Sequence, residues 1–189
     1  MVSKIDSVDL KIMYYLHNDG RIPLNKLAEK VGVSRQTVAN RLKRLLDENL
    51  IVIKGGPNIR VFDVKMACVG LEVTNKDTRR ELEKDLTVCP RVAAFFRTPE
   101  KANIHLEVLG ENDSTLTSTI ESFRDRENVD IIYTHYLGTP IHGDIIVDVA
   151  PPHGNGPPCG RNCVDCYRYV NEWCIGCPIS SAYKNPLLE

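Results

Sequence analysis

Five of the seven cysteines in this 189-residue chain fall between Cys159 and Cys177, in the spacing C-x3-C-x2-C-x7-C-x2-C. Thiolates are soft ligands, and four of them brought together hold either a tetrahedral Zn²⁺ or a [4Fe–4S] cluster. Cys163, Cys166, Cys174 and Cys177 form two C-x2-C knuckles of the kind used by structural zinc. Cys159, Cys163 and Cys166 instead make a triplet similar to those of cluster-binding segments, and Cys177-Pro178 is an ending such segments share. Both cofactors therefore stay open, with Zn²⁺ the commoner partner of paired knuckles. A fifth thiol beyond the four ligands is free to exchange or to form a reversible disulfide. The segment around these cysteines has one tryptophan, Trp173, and few aliphatic residues, too little to fold without a cross-link. Of the remaining two cysteines, Cys68 reads as a small apolar residue of a strand and Cys89, before Pro90, as a loop or strand-edge thiol.

A second chemical group lies between residues 34 and 44. Arg35, Gln36 and Asn40 carry the donors and acceptors that read base edges in a DNA major groove. Ser34 and Thr37 suit phosphate or base, and Arg41, Lys43 and Arg44 suit phosphates. Charge agrees with this: residues 1–60 hold 11 basic against 6 acidic side chains, net +5, whereas residues 61–189 hold 13 against 19, net −6. The first third is built to meet a polyanion, double-stranded DNA, and the remainder is not. Neither group is a catalytic set, so the expectation is a protein that is not an enzyme.

These residues need elements to position them. Val8, Ile12, Tyr15 and Leu16 recur at helical spacing behind a cap at Ser7 and stop at Asn18-Asp19-Gly20. A second helix starts at Pro23 or Leu24 and ends at Val31-Gly32-Val33, where glycine supplies the left-handed turn. Ser34 caps a third helix with Val38, Leu42, Leu45 and Leu46 facing inward. Two helices joined by a short glycine turn, the second one basic, make a helix-turn-helix. Leu50-Ile51-Val52-Ile53 before Lys54-Gly55-Gly56-Pro57-Asn58 predicts a strand and turn, a short wing.

From residue 61 the period changes. Strands are predicted over 66–73, 92–96, 104–109, 129–137 and 145–149, with helices over 77–86 and 114–126. The order βαββαβ predicts a ferredoxin-like domain, so the fold class is α+β. The expected domains are 1–60 (winged helix-turn-helix), 61–150 (ferredoxin-like), a Pro/Gly linker 151–158 and a metal-stapled tail 159–189. No apolar run nears the ~18 residues of a membrane span, and Met1-Val2-Ser3-Lys4-Ile5-Asp6 has no signal-peptide core, which places the protein in the cytoplasm.

Ile5-Asp6, Asp9, Leu16, Asp19-Gly20-Arg21, Leu27-Ala28, Val31-Gly32-Val33-Ser34, Thr37-Val38, Arg41-Leu42, Leu45 and Ile51 together resemble the Lrp/AsnC, or feast/famine, family, over about residues 4–150. The resemblance implies a DNA-binding transcriptional regulator that dimerises through its sheet domain, assembles in some members into larger rings such as octamers, and binds a small-molecule effector between sheet domains. Two departures stand out. The turn that shapes an amino-acid effector pocket in the family keeps Thr98, but Pro99 replaces the expected Gly and Asn103 the expected Asp, which weakens a backbone cradle for a carboxylate. The cysteine tail is absent from the ordinary family fold. Siroheme decarboxylases share the framework, so an alternative places a tetrapyrrole near His105, His135 or His142 with Arg91 or Arg97 on its carboxylates, as an enzyme or a haem-sensing regulator; the basic third helix speaks against the enzyme.

Overall fold

The computed structural model of the chain describes residues 4–143, 145–146 and 156–186, and it divides into two compact units, Met1–Gly55 and Gly56–Glu189. The first unit is helical: α1 (Ser7–Asn18), α2 (Leu24–Val31) and α3 (Arg35–Asp47). Their inner faces, Ile12, Leu16, Leu27, Ala28, Val31, Val38 and Leu45, make one buried core. The turn between α2 and α3 forms as its residues require, with Gly32 at φ 82° and Ser34 accepting the Thr37 amide. The cap of α1 is Asp6 rather than Ser7, because Asp6 and Asp9 bond reciprocally to each other's backbone amides in a capping box. The expected wing does not form: residues 51–57 carry no strand. Leu50 and Ile51 instead close the end of α3 by donating to the Leu45 carbonyl, and both pack on the helical core.

The second unit holds a sheet of β1 (Lys65–Val73), β2 (Val92–Arg97), β3 (Ile104–Gly110) and β4 (Val129–Leu137) in the order β2-β3-β1-β4, every neighbouring pair antiparallel. With α4 (Lys76–Leu86) and α5 (Asp113–Arg124) in between, this is the ferredoxin-like order expected from the sequence. One sheet face, Ala67, Val69, Leu71 and Val73 on β1 with Ile104, Leu106 and Val108 on β3, packs with Leu82, Leu116, Ile120 and Phe123 of the helices into the main core. Gly110 permits the close approach of α5, since a Cβ there would stand 2.5 Å from the Leu116 amide nitrogen. Of the expected fifth strand, Ile145 and Ile146 are described, Ile146 bridging Asn58, and the remainder lies outside the described residues, as does 151–155 of the expected linker.

The tail contributes a 3₁₀ turn, Cys163–Asp165, and a single helical turn, α6 (Tyr167–Val170). Its own core is small: Cys163, Cys177 and Ile179 with Tyr169 and Ala182. What seats it is polar. Ser118 donates to the Trp173 carbonyl at 2.7 Å, Arg126 to the Pro158 carbonyl at 2.8 Å, and Arg161 and Arg168 to Asp125 at 3.0 and 2.6 Å.

Candidate functional site

On α3, Arg35, Gln36 and Asn40 are exposed, and Gln36 donates to the Asn40 side chain at 2.9 Å, one turn apart along the helix. Ser34 and Thr37 are partly committed to the cap, their hydroxyls 2.8 Å apart. The three residues assigned to phosphates are held by carboxylates of their own unit. Arg41 donates to Asp6 and Asp9, Arg44 to Asp9 at 2.5 Å, and Lys43 to Asp47 at 2.5 Å. Asp9 is fully buried and clamps α1 to α3 through the two guanidiniums. The exposed Asp6 carboxyl is held down to about 2, chiefly by its hydrogen bond from Arg41.

In the sheet unit, all five tail cysteines line one cavity of about 70 Å³, against the ~10–15 Å³ one water needs. Cys89 lines it too. Expected from its sequence to be a loop or strand-edge thiol, Cys89 lies in the connection between α4 and β2. Four arginines, Arg91, Arg126, Arg161 and Arg168, also line the cavity. Arg91 is the best held of them. It is buried, bonded bidentately to Glu111 at 3.0 Å for each contact, and donates to the Gly176 carbonyl and, at 3.8 Å, to Cys174 Sγ. Tyr183 donates to Glu111 at 2.8 Å, closing the network. Gly176, at φ 90°, brings the chain so close to residues 182–183 that a Cβ would stand 2.8 Å from the Ala182 carbonyl oxygen.

Burial pushes the Cys177 thiol up to about 12 and raises Cys89 and Cys159. Thiols so placed lose their protons only in company with a cation. Among the described residues, no group of three or more His, Cys, Asp or Glu is close enough to hold a metal ion. Six cysteines thus line one cavity without three of them closing on a single ion position. In donor type and number, these cysteines are the residues that would hold a thiolate-bound cofactor.

Residues 5–46 match the model of the AsnC-type helix-turn-helix domain. The proline dehydrogenase transcriptional activator of Rhizobium radiobacter is 31% identical over 130 residues, 60% of this chain and 83% of that protein. The chain belongs to the Lrp/AsnC family. The leucine-responsive regulatory protein of Rhizobium meliloti is 28% identical over 138 residues, 69% of this chain and 87% of that one. Among solved structures, the Mycobacterium tuberculosis leucine response regulatory protein gives a TM-score of 0.65 at 17% identity, covering 74% of this chain and 96% of its own. Bacillus subtilis LrpC gives 0.63 at 20%, covering 74% and 99%. Both share the fold, and both are matched nearly end to end while the remainder of this chain has no counterpart in them. The chain is thus a transcriptional regulator of the Lrp/AsnC type, and its named relatives are regulators rather than enzymes, in line with the sequence expectation.

Of the residues invoked for a tetrapyrrole, His105 and His135 both contact Tyr133, whereas the two arginines have partners of their own. Arg91 belongs to the thiol cavity and Arg97 is paired with Glu83. His105 bonds Tyr133 Oη at 2.8 Å, His135 stacks on the Tyr133 ring at 5.1 Å, and His142 is exposed beyond β4. Gly70 makes room for that ring, whose nearest atom would lie 2.2 Å from a Cβ. The turn at Thr98 closes on itself: Thr98 donates to the Ala102 carbonyl, and Asn103 exchanges two 3.1 Å bonds with the Val73 backbone.

No helix among the described residues is long and apolar enough to cross a membrane.

Proposed function

We propose that this regulator binds specific duplex DNA through the N-terminal half of α3 and carries on its sheet unit a thiolate metal centre, zinc or iron–sulfur, whose state alters DNA binding. The observation that supports DNA reading above all is the exposed row of Arg35, Gln36 and Asn40 on the second helix of an AsnC-type helix-turn-helix. Arg35 pairs with guanine, and Gln36 and Asn40 with adenine. Ser34 and Thr37 add phosphate or base contacts. Arg41, Lys43 and Arg44 offer phosphates the donors their carboxylates leave unused, and the carboxylates fix the angle at which α3 is presented. The regulator acts as a homodimer or higher oligomer through the sheet unit, which supports this by exposing Phe96 on β2 and Ile132, Tyr136 and Leu137 on β4. Two such α3 helices fit half-sites one helical turn apart, or a multiple of it.

Relatives are named for responding to leucine. Here the corresponding turn bonds to its own backbone, which favours the thiol cavity as the place where a signal enters. A metal centre bound there would supply a cross-link that holds the tail, and its loss would release the tail's grip on α5 and on the loop before β2.

The test is fluorescence anisotropy with a duplex selected by the full chain from a random pool. Gln36→Ala with Asn40→Ala is expected to weaken binding by roughly 10-fold or more, from ~1 to 3 kcal/mol per base contact. Unchanged affinity would overturn the assignment of α3. Equal affinity of wild type with and without its metal would overturn the sensing part alone.

A further inference from the structure

Cys89 stands outside the tail, yet it shares a cavity with every tail cysteine. Its loop is firmly built. The Cys89 amide donates to Leu86 and its carbonyl accepts from Val92, at 3.2 and 3.1 Å. Pro90 restricts the backbone of Cys89 to the extended region. The same Cys-Pro pair recurs at Cys177-Pro178, and Cys177 lines the same cavity.

We propose that this cavity seats an iron–sulfur cluster held jointly by the tail and the sheet, with Cys89 a thiolate ligand from outside the tail. This rests on the reading of the tail as a metal centre and adds to it a ligand and the class of cofactor. A single zinc draws four sulfurs to about 3.8 Å of one another, given a Zn–S bond of about 2.3 Å. A cluster brings its own iron and sulfide and keeps its thiolates apart around a volume; here six cysteines line one cavity, and no three of them close on a single ion position. Arg91 supports the same assignment. Its buried charge, fixed by Glu111, faces the thiols and donates toward Cys174 Sγ. A guanidinium so placed offsets the negative charge of a thiolate-ligated cluster, and N–H···S contacts of this kind tune its potential.

The experiment uses the full chain purified without oxygen, as wild type, Cys89→Ser and Cys68→Ser, assayed for iron, zinc and acid-labile sulfide, with the electron paramagnetic resonance spectrum of the reduced protein. Cys68 is the control because it lies on the sheet face turned away from the helices, opposite Glu107 and His135. Wild type and Cys68→Ser are expected to carry about 4 iron and 4 sulfide per chain. Cys89→Ser should retain less than roughly half of that iron, or retain it with a changed spectrum. If Cys89→Ser matches wild type in both, Cys89 is not a ligand and the tail-only centre stands. Zinc in place of iron overturns the cluster and leaves the metal-centre reading intact, whereas wild type holding neither metal overturns both. Should Cys89→Ser fail to fold, wild type supplies a second readout, alkylation by iodoacetamide followed by peptide mass spectrometry before and after chelation. Cys89 should label roughly ten-fold faster once metal is removed, while Cys68 labels equally in both states. Equal labelling of Cys89 in the two states overturns the proposal.

Discussion

Asp9 shows how one side chain sets the character of the whole helical unit. It is fully buried, caps α1 through Asp6, and receives Arg41 and Arg44 from α3. Removing it strands the Arg44 guanidinium and leaves Arg41 with Asp6 alone, each only about a third exposed, so Asp9→Ala should destabilise the unit by about 2–4 kcal/mol, measured by urea denaturation. Asp6 predicts the pH response. Its folded-state value of about 2 lies below the unfolded carboxylate's ~3.9, so its contribution is complete above ~4 and is lost as pH falls towards 2. The melting temperature of wild type should therefore fall more steeply between pH 4 and 2 than that of Asp6→Asn, whose profile loses this component. Lys43 offers a contrast. Its 2.5 Å pair with Asp47 is largely exposed, so Lys43→Ala should leave stability unchanged within about 0.5 kcal/mol. The same change should weaken binding to all DNA sequences alike and reduce the salt slope by about 1 in anisotropy titrations.

At the scale of elements, close packing rather than propensity decides what is tolerated. Gly110→Ala would drive a methyl into the first turn of α5, and a loss of about 1–3 kcal/mol is expected in urea titrations of the variant. Such demands are invisible in a single sequence, whereas local ones are not. Gly32 and Ser34 disclosed the helix-turn-helix because a left-handed turn and an N-cap are written in adjacent residues. The change from helical to alternating period similarly disclosed the sheet order. Asp6 was passed over for Ser7 because the reciprocal partner at Asp9 is an aspartate, where the familiar capping box has a glutamate. The run Leu50–Ile53 before a glycine turn reads as a wing, but a strand needs a partner, and the chain packs Leu50 and Ile51 on the helical core instead. Cys89 escaped for a deeper reason. Its neighbours come from a segment seventy or more residues later, and no periodicity encodes that meeting; the repeated Cys-Pro pair was the one local trace.

For the whole molecule, the two units divide the labour. Positive charge and base-reading side chains sit in residues 1–60, and all seven cysteines lie beyond them. On the proposed reading, variants of the tail cysteines should change affinity without changing which bases are preferred, because the base-reading side chains lie outside the tail, as a selection from random duplexes would reveal. The sheet-borne side of the cavity also has a history in time. Arg91 donates to Cys174, 83 residues further along the chain. At ribosomal rates of about 5–20 residues per second, Cys89 and Arg91 wait roughly 4 to 16 s for the partners that will cover them. During that interval a thiol destined for burial stands open to oxidants and to stray metal ions. This wall can be completed only when synthesis is nearly finished, and the yield of protein with an unoxidised Cys89 should depend on how well oxygen is excluded while the chain is being made.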